Sequence, residues 1–230
     1  MNGELKLKIP QTGKVDFKEI RDGNYYFVDK SELISDIIDD GNGVYLFTRP
    51  RRFGKTLNLS MMDAFFNMNY KGNNWFDGLK VSEHENCTKL KNTFPVISIS
   101  MKELEVDNFD LFLSDVATKV SNLFRTFRYL SDSDKIDQID KDAFIAIRKK
   151  TSNKSELKDS LRFLCEMIEF HHGVKPIVLI DEYDNPINSS FNKDTYEHIL
   201  SFLKGFYSSV LKDNTHMSFA VVTGIMQIAK

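Results

Sequence analysis

The chain has 230 residues, of which 41% are hydrophobic and 28% charged, enough for one sizeable α/β domain with a real core or for two small ones. Its 31 Lys and Arg against 33 Asp and Glu give a formal charge of −2, which excludes a global basic field of the kind that gathers nucleic acid. The two cysteines, Cys87 and Cys165, stand far apart without metal-ligand spacing and read as buried thiols of a reducing compartment. The N-terminus lacks the apolar region of a secretory signal, and no apolar run approaches the ~18 residues of a membrane span, so a cytoplasmic chain without a membrane partner is expected.

In chain order, Ser31 stands where a helix N-cap would, ahead of Leu33, Ile34, Ile37 and Ile38, with Gly41 near the stop. Four short apolar runs then predict strands buried on both faces, as parallel strands between helices are: Val44–Thr48, Phe94–Met101, Pro176–Asp181 and Met217–Thr223. Between them the period turns helical. Phe109, Phe112, Val116, Val120 and Phe124 form one stripe, Leu157, Leu161, Leu164 and Ile168 a second, and Ile199, Leu203, Phe206 and Val210 a third. The charged segment 131–156, with an apolar patch at Phe144, Ile145 and Ile147, reads as a solvated helical excursion. Strands alternating with helices predict a three-layer αβα sandwich on a mostly parallel sheet, one domain over 1–230. The chain stops at Gly224–Lys230, straight after the last strand-like run, which reads as a cut end.

The stretch TRPRRFGKTLNLSMM, Thr48 to Met62, ends its first strand in the tail of a phosphate-binding loop. Such a loop needs a buried strand to deliver the chain, a turn that points N–H groups inward, and a helix that begins at the phosphates. Gly54 lets the backbone approach an oxygen, Lys55 would reach the β- and γ-phosphates, and Thr56 would offer its hydroxyl to Mg²⁺. Leu57 opens the helix. Arg49 occupies the slot where such loops open with glycine, and a positive φ there would strain it; Pro50 has no N–H to donate. Arg51 and Arg52, with Phe53 behind them, could lie over phosphates, pair with acids or face solvent.

The run ending in Asp181-Glu182 supplies the complementary half. An acidic pair at the carboxyl end of a strand would let Asp181 hold Mg²⁺ and Glu182 act on the lytic water. Either motif alone has a bland reading, a chance tripeptide or a strand cap. Together they predict a P-loop NTPase sandwich that takes a nucleotide and Mg²⁺. Thr223 at the tip of the fourth strand would touch the γ-phosphate or lytic water, or simply end a strand.

TRPRRFGKTLNLSMM, the upstream Tyr26–Ser31, the LIDEYDNPI around Asp181 and the closing VVTGI together resemble the AAA-ATPase-like domain family, from about Phe17 to Lys230. These are prokaryotic P-loop proteins whose ATPase domain is commonly followed by a PD-(D/E)XK nuclease-like domain. The resemblance implies that Arg49 is the family's usual form of the loop, that Arg51 to Leu57 surround the nucleotide, that Lys55, Glu182 and Thr223 act in catalysis, and that Thr56 and Asp181 face the metal. It implies a hydrolase whose partners are ATP, a homo-oligomer of the chain, and DNA through a nuclease-like domain outside these residues. At Gln227 the family would carry a basic residue.

Rival readings fit less well. Asn192-Lys193-Asp194 lacks the spacing of guanine recognition, and Asp194 reads as a helix N-cap. A helicase would need a second domain. A nucleotide-binding switch or interaction module with negligible turnover stays open, because binding geometry does not guarantee catalysis. Loss of Glu182 would separate the two.

Overall fold

The structure, a computed structural model, describes residues 13–227. They form two compact units, the first of residues 13–42 and 54–93, the second of residues 43–53 and 94–227.

The first unit is helical. Its helices are α1 (Phe17–Asp22), α2 (Glu32–Asp40), α3 (Lys55–Phe66) and α4 (Glu85–Leu90). Asp16 starts α1 by accepting the N–H groups of Lys18 and Glu19, two of the donors a helix start leaves unpaired. Its core is aromatic, with Phe17 4.9 Å from Phe76 and Phe76 5.0 Å from Phe65 between ring centres. Asn92 closes the far end of α3: its buried side-chain amide donates to the carbonyls of Ala64, Phe65 and Asn67 at 2.9–3.1 Å. Ser31 stands at the N-cap position of α2, but its side chain makes no cap bond there. It instead accepts the N–H of Val81.

The second unit carries the sheet. Its elements are β1 (Val44–Thr48), β2 (Val96–Ser100), α5 (Phe109–Thr126), α6 (Gln138–Lys149), α7 (Lys154–His172), β3 (Ile177–Asp181), α8 (Asn185–Ser190), α9 (Tyr196–Leu211) and β4 (Ala220–Gly224). The four strands are all parallel in the order β1-β4-β3-β2 and flanked by helices, an α/β fold consistent with a P-loop NTPase-like sandwich. Ile97, Ile99, Val178, Ile180, Ala220 and Val222 turn one face of the sheet into a core shared with the stripes of α5, α7 and α9. Neighbouring strands run in register, Ser100 beside Asp181 and Phe47 beside Thr223, so their carboxyl ends finish at one edge.

Three expectations need correction. β4 is buried through its length and β3 up to its half-buried last residue, Asp181, but Val44 and Leu46 of β1 are 40% and 39% exposed. β1 has a sheet neighbour on one side only among the described residues, so it lacks the lateral cover of the inner strands. The segment 131–156 is not simply a solvated excursion: Phe144 and Ile147 of α6 are buried, and Phe144 lies 4.9 Å from Phe124. The N-cap position of α9 belongs to Thr195 rather than to Asp194.

Among the described residues no helix is long and apolar enough to cross a membrane. Cys87 and Cys165 are both free and buried, and burial pushes the Cys165 thiol up to about 12.

Candidate functional site

In the second unit, β1 hands over to a turn at residues 50–53. Arg49 continues the ladder, its N–H donating to the carbonyl of Gly224 at 3.1 Å, and it does not take positive φ. The strain that a positive φ would bring to Arg49 is therefore absent, and the turn is drawn differently there. The left-handed residue of the turn is Arg52, at φ 68°, with Arg51, Arg52 and Phe53 all exposed. In the first unit, Gly54 stands at the N-cap of α3 with φ 76° and accepts from the N–H of Asn58 at 2.9 Å. That backbone favours glycine, and no heavy atom beyond its chain neighbours lies within 4 Å of where a Cβ would stand. Lys55, Thr56 and Leu57 follow in the first turn of α3, each half-buried.

The carboxyl edge of the sheet collects the acids. Oδ1 of Asp181 accepts the hydroxyl of Thr223 from β4 and, at 3.1 Å, the N–H of Glu182. Glu182 itself takes φ 51°, a left-handed backbone that L-residues with a Cβ adopt at a cost of about 1–2 kcal/mol. The turn then closes, the N–H of Tyr183 donating to Thr223 O at 3.0 Å and that of Asn185 to Glu182 O at 3.0 Å. Asp181 and Glu182 are each half-buried, while Thr223 is buried. The structure thus brings Asp181, Glu182 and Thr223 together.

Two further residues belong to this edge. Asp184 is buried, and its Oδ2 accepts the N–H groups of Ile225 and Met226, both at 2.8 Å, and the amide of Asn188 at 2.9 Å. It clamps the turn after β4 onto α8. The sequence signal for it is the second aspartate in Asp181-Glu182-Tyr183-Asp184, three positions after the first. Lys102 follows β2, where the N–H of Met101 donates to Asp181 O at 2.9 Å. Its ammonium is held above the usual lysine range first by its 3.1 Å partner Glu103, then by the charges of Glu182 and Asp181. Nothing in the local sequence marks it, because its role comes from strand register.

No three of His, Cys, Asp and Glu converge as a metal cage among the described residues. The Thr56 hydroxyl in the first unit and the Asp181 carboxylate in the second are each oxygen donors of the kind Mg²⁺ takes.

Residues 11–230 match a family described as a predicted AAA-ATPase. The chain belongs to the AAA-ATPase-like family. It is also similar to an uncharacterized protein in the vnfD 5′ region of Azotobacter chroococcum mcd 1, with 26% identity over 227 residues. That match takes in 98% of this chain but 38% of the relative's length. No solved structure matches the chain.

Proposed function

We propose that this AAA-ATPase-like chain binds Mg²⁺-ATP and hydrolyses it. The observation that carries the reading is the sheet edge where Asp181, Glu182 and Thr223 meet. It supplies a metal-side acid, an acid next to it for the lytic water, and a hydroxyl donor in one place. Family membership and Gly54-Lys55-Thr56 at the start of α3 support it from the other half of the chain.

Thr56 and Asp181 would hold Mg²⁺, whose charge offsets that of the phosphate oxygens when it is bound. Lys55 would stabilise charge developing on the γ-phosphoryl oxygens. Glu182 would orient the attacking water and accept its proton. Thr223 would keep the Asp181 carboxylate turned to its task. Arg51, Arg52 and Phe53 would border the phosphates, and Leu57 would seat the helix that carries Lys55. Because this chain spans 38% of its longer relative, the activity of the whole protein is a further proposal: turnover powers or regulates an attached nuclease-like domain that acts on DNA.

The test is Mg²⁺-dependent ATP turnover and binding by the purified chain beside Lys55→Ala and Glu182→Gln. Turnover should vanish in both variants and binding only in Lys55→Ala. Binding without turnover in the unchanged chain would favour a nucleotide switch, and no binding at all would sink the reading.

A further inference from the structure

The second unit carries an open groove of about 830 Å³, of whose lining the nucleotide reading uses Arg51 alone. Its walls are α8 with the start of α9 on one side and the turn after β4 on the other, and the turn after β1 forms its rim. Ile187, Phe191, Tyr196, Ile225 and Met226 give it an apolar lining, and Arg51 stands at the rim. The size suits ligand pockets, which run to roughly 300–1,000 Å³.

Three observations say what would fill it. Phe191 is 65% exposed, Met226 52% and Ile225 37%, so three large apolar side chains are presented to solvent around one groove. Phe, Tyr, Met and Arg are the side chains enriched in protein–protein interfaces, whereas Lys, Asp and Glu are depleted there; none of those three lines this groove, in a chain that is 28% charged. No carboxylate of the described residues pairs with Arg51, so its guanidinium is available to an incoming anion. The walls are also fixed in advance. Asp184 ties Asn188 of α8 to the N–H groups of Ile225 and Met226, Tyr183 donates its hydroxyl to Met226 O at 2.8 Å, and Phe191 packs edge-on against Tyr196 at 5.8 Å. A groove that need not be ordered on binding saves its partner that cost.

We propose that this groove is a docking site for an acidic peptide segment of a partner protein, with a large apolar side chain seated against Phe191 and Met226 and a carboxylate on Arg51. The single arginine of the lining, in place of the basic track that a nucleic-acid strand takes, favours such a peptide. Arg51 serves both readings, so the groove is tested in the absence of nucleotide.

The experiment is a fluorescence-anisotropy titration of the purified chain without nucleotide. The probe is a fluorescein-labelled peptide of Asp and Glu around a central Phe-Leu pair, with its Lys-substituted counterpart and an acidic peptide lacking the apolar pair as controls. The acidic-apolar peptide should bind best. Phe191→Ala and Met226→Glu should each weaken it about tenfold, and Arg51→Glu should shift preference to the basic counterpart. Phe191 and Met226 are exposed, so unchanged melting temperatures should separate lost binding from lost fold. Equal binding of all three peptides, no binding, or indifference to the substitutions would overturn the proposal. So would competition by oligothymidylate alone, which points to nucleic acid. Self-association that Phe191→Ala abolishes would assign the groove to a second copy and overturn it too.

Discussion

Thr223 of β4 donates its hydroxyl to the Asp181 oxygen that also accepts the N–H of Glu182, so one carboxylate oxygen joins two strand ends. Thr223 is 2% exposed, and water cannot readily replace it. Thr223→Val keeps the shape and deletes the donor, and should cost about 1–2 kcal/mol of stability, since bonds to charged groups are worth more than neutral ones. Thr223→Ser should restore most of it. Urea unfolding of both variants checks this; equal loss in Val and Ser would mean that the methyl group matters rather than the hydroxyl.

Gly224 has no room for a side chain. A Cβ there would stand 2.5 Å from Cε1 of Tyr183 and 2.7 Å from Oδ1 of Asp184. Neither can move away cheaply: the Tyr183 hydroxyl is bonded to Met226 O, its carbonyl accepts from Tyr207 at 2.7 Å, and Asp184 holds three donors. Gly224→Ala should therefore destabilise the chain by about 1–3 kcal/mol, the usual range for overpacking. An unchanged denaturation midpoint would contradict this placement of Tyr183.

The four strands are legible in the sequence because each is a short apolar run of β-branched and aromatic residues ended by a polar or glycine signal. Their order is not, since β4 enters between β1 and β3 and only pairing reveals it. For the same reason the exposure of Val44 and Leu46 escapes a reading from hydrophobicity alone. At the candidate site the acids announce themselves by position, at the end of an apolar run. The Thr223–Asp181 bond, the clamp at Asp184 and the approach of Lys102 depend on register between strands far apart in sequence. The positive φ at Arg52 and Glu182 has no sequence signal, because neither is a residue that favours it.

Glu182 sets stability against function. Its φ of 51° suits glycine, while its carboxylate is the group proposed to act on water. Glu182→Gly should raise stability by up to about 1 kcal/mol, the relief of left-handed strain less the entropy that glycine loses on folding. It should also lower ATP turnover by at least about 100-fold, the lower end of what a general base contributes. Glu182→Gln should match the loss of turnover without the gain in stability. A glycine variant less stable than the glutamine one would show that the backbone at this position is not strained.

A pH dependence follows from His172 at the end of α7. Burial, then the charges of His171 and Lys135, hold its pKa below the ordinary 6.5, and its Nε2 lies 2.8 Å from the hydroxyl of Tyr129. Burial pushes the Tyr129 phenol up to about 12, so it keeps its proton and donates to neutral His172. The unfolded chain binds a proton at this histidine near pH 6.5 and the folded chain only at lower pH. The stabilisation is thus complete above 6.5 and is lost as pH falls below it towards the folded value. His172→Gln retains an acceptor for Tyr129 and does not titrate, so its stability should fall less than that of the unchanged chain between about pH 7 and pH 5. Urea midpoints for the two chains across that range measure the difference, and parallel curves would remove His172 from the account.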